Sequence, residues 1–77
     1  MKVQILGTGC AKCKQLTANA EQAVRELGLD AQVEKIDDPR AIMTFRVMST
    51  PALAVDGEVK AVGQVLSPAD IKNLLRR

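Results

Sequence analysis

Aromatic residues are nearly absent from this 77-residue chain: Phe45 is the single one, and there is no tryptophan, tyrosine or histidine. A nucleic-acid module that stacks bases on aromatic rings has nothing to stack with. The core must be aliphatic, drawn from ten alanines and twenty valines, isoleucines and leucines. Long apolar runs are absent too. No stretch approaches the roughly 18 consecutive apolar residues of a membrane span. The residues between Lys2 and Gly7, interrupted by Gln4, are far too few for a secretory signal. Charge lacks a dominant sign: 11 basic and 9 acidic residues are scattered along the chain, a net +2 that steers toward neither DNA nor membranes. Arg76 and Arg77 form the only basic end, where a helix C-terminus favours cations. Two cysteines are too few for a multiply stapled secreted scaffold. The expectation is one cytoplasmic, monomeric domain over residues 1–77, with no nucleic-acid or membrane partner.

What is present reads in order. Residues 2–6 (KVQIL) alternate, Val3 and Ile5 on one face and Lys2 and Gln4 on the other, as in a strand. From Ala11 the period lengthens. Cys13, Leu16, Ala20, Ala23, Val24 and Leu27 share one helical face, and Gly28 stands at C′. Residues 31–36 (AQVEKI) form a second strand whose alternation breaks at Lys35 and Ile36. Asp38 is an N-cap and Pro39 a favoured first helical residue, predicting a short helix over 39–46 that buries Ile42 and Phe45. The "STP" at 49–51 ends it, since the residue before a proline is pushed to an extended conformation. Residues 52–55 (ALAV) are the apolar run of a strand buried on both faces. Asp56-Gly57 is a hairpin turn, and 59–62 return antiparallel. Ser67-Pro68-Ala69-Asp70 opens a last helix over 68–76 with Ile71, Leu74 and Leu75 inward. The order is β-α-β-α-β-β-α. A right-handed parallel crossover joins the first two strands, and the hairpin completes an α/β domain with a four-stranded mixed sheet flanked by three helices.

The chemistry lies in "GTGCAKC" at 7–13. Gly7 and Gly9 let the chain turn sharply out of the first strand. Cys10 then falls at the helix start, where unpaired N–H groups and the dipole favour an anion, and Lys12 and Lys14 add cations nearby. Cys13 lies one turn deeper on the apolar face. Such an asymmetric pair suits dithiol–disulfide exchange: Cys10 attacks a disulfide, and Cys13 attacks Cys10 to release the product. Lowering a thiol pKa from about 8.5 to about 7 raises its thiolate fraction roughly fifteen-fold at neutral pH. Intrinsic nucleophilicity falls about five-fold over the same shift, leaving about three-fold. The larger gains are a good leaving group at Cys10 and a high effective concentration of Cys13. Two other readings use the same pair. Two thiolates cannot complete a tetrahedral zinc site without further ligands, but they can hold Cu(I), as in small copper chaperones of ferredoxin-like βαββαβ order. Free cysteines can also simply pack as small hydrophobes.

Thr50-Pro51 opens the third strand. By itself it is a helix terminator with a trans peptide, the default in folded proteins. Taken with the cysteine pair after the first strand, the Asp-Gly hairpin and Gly63 after the fourth strand, it gives the whole chain a resemblance. The sequence looks like the small thioredoxin-like or glutaredoxin-like redox proteins of archaea and bacteria with a G-x-G-C-x-x-C signature. The resemblance implies a minimal thioredoxin fold and a thiol–disulfide oxidoreductase needing no cofactor or metal. Its partners would be a protein disulfide and a thioredoxin-reductase-type or other electron donor. It further implies that Pro51 is cis and lies against the cysteine pair, that Thr50 offers its backbone to an extended substrate, and that Gly63 lets the chain pass close to that groove. A third reading keeps this fold as a non-catalytic, redox-sensing module. There are departures. The dipeptide between the cysteines is Ala11-Lys12, and Gly9 stands where a tryptophan precedes the pair in thioredoxins. The glutathione-binding acids of glutaredoxins are replaced by "VGQVLSP". The first strand has no acid to receive the Cys13 proton, and Lys35, Asp37 and Asp38 are the substitutes within reach in sequence.

Overall fold

The computed structural model describes residues 1–7, 9 and 11–76; Thr8, Cys10 and Arg77 lie outside the described residues. Its elements are β1 (Lys2–Leu6), α1 (Ala11–Leu27), β2 (Gln32–Ile36), α2 (Pro39–Thr44), β3 (Ala52–Val55), β4 (Glu58–Val62) and α3 (Pro68–Leu75). This is the order that the sequence pattern predicts. The chain closes on a helix, so the βαββαβ arrangement required by a ferredoxin-like copper carrier is not formed.

Local chemistry sets the boundaries. At the end of α1, Gly28 takes φ +64°, its N–H donates to the Arg25 carbonyl, and the Leu29 N–H donates to the Val24 carbonyl. That pair of bonds is a Schellman motif, which needs a left-handed residue at C′. Asp38 caps α2 by accepting the Arg40 amide at 3.0 Å, and Ser67 caps α3 by accepting the Asp70 amide at 3.1 Å; a proline follows each cap. Asp56 and Gly57 both carry positive φ, +51° and +85°, as a two-residue turn matched to strand twist demands.

The sheet runs β2-β1-β3-β4, with β1 parallel to β2 and antiparallel to β3, and β3 antiparallel to β4. In β4, Val59 faces Ala54 and Ala61 faces Leu53, so Lys60 is the extra residue of a bulge on this edge strand. Two faces of unequal depth result. Val3 and Ile5 pair with Val55 and Leu53 and pack beneath α1 and α3, against Leu16, Ala20, Ala23, Val24, Ile71 and Leu75. Leu6 and Ala52 point the other way and meet Ile42 of α2, with Ile36, Phe45 and Val47 around them. All four residues of β3 are buried, as a central strand covered on both faces requires.

Five expectations shift. β2 begins at Gln32 rather than 31, β4 begins at Glu58 rather than 59, and α3 ends at Leu75 rather than 76. α2 ends at Thr44, leaving Phe45 as its half-buried C-cap. Leu74, expected inward, is 39% exposed. Successive helical residues differ by 100°, and the face of α3 toward the sheet is centred on Ile71 and Leu75, which turns Leu74 to the rim.

Candidate active site

Of the sequence-predicted site residues that are described, Gly9, Cys13 and Lys14 line one space with Ile5 and Gly7 at the C-terminal end of β1. The Gly7 N–H donates to the Ile36 carbonyl at 3.0 Å, extending the β1–β2 ladder by one bond and bringing the glycine alongside the segment that leaves β2. Gly9 holds φ +89°, the left-handed turn expected there. Gly7 is different. It needs no unusual φ but has no room for a side chain. A Cβ built on it would fall inside contact distance of the Cys13 Sγ, 3.2 Å from the Cys13 Cβ and 3.9 Å from the Thr50 Cβ. The Cys13 sulfur and the Thr50 side chain therefore both lie on the side of Gly7 toward which a side chain would point.

Cys13 is buried, beside Leu16 on the apolar face of α1. Thr17, also buried, donates its hydroxyl to the Cys13 carbonyl at 2.9 Å and fixes the first turns of the helix around it. Cys10, the expected nucleophile, lies outside the described residues.

The Thr50–Pro51 peptide is cis. Pro51 is fully buried while Thr50 is exposed. The Pro51 carbonyl accepts the Gly63 N–H at 2.8 Å. Gly63 itself holds φ +70°, and a Cβ there would come within 3.4 Å of the Ser49 Cβ. Thr50, Pro51 and Gly63 thus form one unit, knitted by a backbone bond across 12 positions of sequence. Met48, Val62 and Val65, their neighbours in sequence, are exposed.

Cys13 and Gly7 also line a cavity of about 100 Å³. Ile5 and Gly7 form its floor, and Gly9, Cys13, Lys14 and Thr17 its α1 side. Lys35 of β2 and Asp37 just beyond it close the remaining wall. Of the two lysines expected to tune the pair, Lys14 is here; Lys12, exposed two positions earlier, is not among the walls. Asp38 is directed away, into the α2 cap. Thr17 and the steric role of Gly7 were not read from the sequence. Thr17 had a usable signal, since it sits four residues after Cys13 on the same helical face.

A β-α-β-α-β-β-α chain with a cis-proline just before its third strand and a buried cysteine in the first turns of its first helix is a thioredoxin-type α/β protein. Comparison with known proteins makes this specific. Residues 1–76 match the family model described as Thioredoxin domain. The chain is 51% identical over 75 residues to the protein named Thioredoxin from Methanothermobacter thermautotrophicus, covering 97% of each. It is 39% identical over 74 residues to Thioredoxin from Methanocaldococcus jannaschii, covering 96% of this chain and 85% of that one. The chain belongs to the thioredoxin family, and it is a thiol–disulfide oxidoreductase. Among the described residues, no helix is long and apolar enough to cross a membrane.

Proposed function

We propose that this oxidoreductase reduces protein disulfides through a dithiol–disulfide cycle in which Cys10 is the attacking nucleophile and Cys13 the resolving one. The observation that carries the reading is the placement of Cys13: buried one turn into α1, its sulfur held against Gly7 on the side where Thr50, the residue before cis-Pro51, also lies. A sheltered second thiol is poor at meeting substrate but well placed to attack a sulfur bonded to its neighbour in the motif. Thr50 is exposed at the mouth of β3, where its backbone is able to pair with an extended substrate segment as an added strand. Gly63 holds that mouth in shape through its bond to Pro51. Gly9 and the cations Lys12 and Lys14 would favour the thiolate at the start of α1. Reduction in a cytoplasmic setting requires a reductase or other dithiol donor to recharge the pair, the domain acting as a monomer.

The test is direct. Cys10→Ser abolishes reduction of insulin by dithiothreitol-recharged protein, and Cys13→Ser accumulates a covalent mixed disulfide with the substrate, seen by mass spectrometry. Full activity in the Cys10→Ser protein would defeat the assignment.

A further inference from the structure

Cys13 must lose its proton before it can attack, because the thiolate is the nucleophile. Of the three residues the sequence offers for this, the fold separates one. Asp38 caps α2 with its carboxylate, whereas Lys35 and Asp37 are walls of the cavity behind Cys13, together with Lys14. The Cys13 sulfur lies against Gly7, another wall of the same space. Thr17 directs its hydroxyl hydrogen to the Cys13 carbonyl. Among the described residues, the charged residues that line this space are therefore two lysines and one aspartate: Lys14 from α1, Lys35 from β2 and Asp37 from the segment after it. All three are exposed, so the cavity opens to solvent, and its 100 Å³ has room for about three waters.

Two mechanisms compete for this geometry. In one the carboxylate is a general base; in the other the net positive field stabilises the thiolate and solvent removes the proton. An ordinary carboxylate is a weaker base than an ordinary thiolate by about four to five pK units. A carboxylate in a cavity open to solvent also has no advantage of access over water itself, and once the thiolate forms, its own charge opposes it. Two lysines line this space against one aspartate, so its net charge is positive. The field wins.

We propose that Lys35, assisted by Lys14, holds the Cys13 sulfur as a thiolate in the resolving step, and that the proton leaves to solvent through the open mouth of this cavity. The proposal rests on the roles given to Cys10 and Cys13 above. In the mixed disulfide, Cys13 releases its proton to water and its sulfur attacks the Cys10 sulfur. The Cys10–Cys13 bond forms as the bond from Cys10 to the substrate sulfur breaks. That sulfur departs as a thiolate and takes a proton from solvent. The protein dithiol has lost two electrons and the substrate disulfide has gained them. Lys35 touches no reacting atom and acts as a positioning charge.

Mixing the reduced full chain with one equivalent of dithiobis(nitrobenzoate) separates the two steps. One thionitrobenzoate is released when the reagent is attacked, and the second when Cys13 closes the ring. Lys35→Gln moves the pH midpoint of the second phase upward by between about half and one pH unit, and Asp37→Asn moves it downward by a similar amount. Lys35→Arg keeps the wild-type midpoint. Both shifts shrink in about 1 M salt, where the screening length falls to about 3 Å, a response that altered packing would not give. Midpoints in both neutralised variants equal to wild type overturn the proposal. So does an Asp37→Asn protein whose second phase is slower at every pH, which would make the carboxylate the base. Cys13→Ser tests the foundation separately: it is expected to lose the second phase. If it keeps that phase, the resolving role itself falls and this proposal with it.

Discussion

At the scale of single residues, the site depends on an atom that is missing. Gly7 stands between β1 and α1 where any side chain would occupy the space of the Cys13 sulfur. Gly7→Ala must therefore push the sulfur away or move the strand end. Overpacking a buried site costs about 1–3 kcal/mol. The expected outcome is a lowered urea midpoint at unchanged slope, with mixed disulfides resolved at least about ten-fold more slowly, since small misplacements of reacting groups are costly. An unchanged rate of ring closure would show that the sulfur tolerates displacement. The sequence marks Gly7 only as a turn residue, and its φ shows that the turn is made by Gly9 instead. What Gly7 does depends on a helix packing back onto a strand end, which no local pattern encodes.

At the scale of elements, the two capped helices have unequal importance. α3 supplies Ile71 and Leu75 to the larger cluster, and Asn19 of α1 ties to its approach by donating to the Leu66 carbonyl at 2.8 Å. α2 covers only the small cluster around Leu6 and Ala52. Ser67→Ala should therefore lower global stability by about 1 kcal/mol, read as a shift in the unfolding midpoint. The same loss at the Asp38 cap would register mainly as faster local amide exchange in α2. Both caps, the Gly28 stop and the Asp56-Gly57 turn were legible because each depends on residues adjacent in the chain. Leu74 was misread because helical spacing gives a wide arc, while the sheet covers only the part centred on Ile71 and Leu75. The cavity was invisible for a related reason: its walls come from β1, α1, β2 and the segment after β2. Lys35 broke the alternation of its strand, and that irregularity was the one local trace of it.

At the scale of the molecule, the layer of α1 and α3 is held across its surface by charge. The Lys72 Nζ donates to the Glu26 carboxylate at 2.7 Å, and the Gln22 side chain donates to its other oxygen. The Lys72 bond, then the Gln22 bond, hold the Glu26 carboxyl below its ordinary range, against a small opposing effect of desolvation. A lowered folded-state value contributes stability that is complete above the unfolded carboxylate range and is lost as pH falls through the folded value. Wild type should thus unfold at a slightly higher urea concentration than Glu26→Gln at neutral pH, and the two midpoints should converge in strong acid. A difference that persists in acid would mean that Glu26 acts by packing rather than by charge.

β1 has partners on both sides, and the later of them lies some fifty residues further along the chain: Val3 pairs with Val55, and the Lys2 N–H donates to the Asp56 carboxylate at 2.7 Å. During synthesis at about 5–20 residues per second, roughly 2 to 10 s separate the making of β1 from the making of β3. For that interval the cysteine segment is an ordinary flexible tether beside an unpaired strand edge. Cys13 acquires Thr50 as a neighbour only when the chain has grown past its middle. The surroundings of Cys13 are therefore assembled in two instalments, and a ribosome stalled before residue 50 would display this thiol without the second of them.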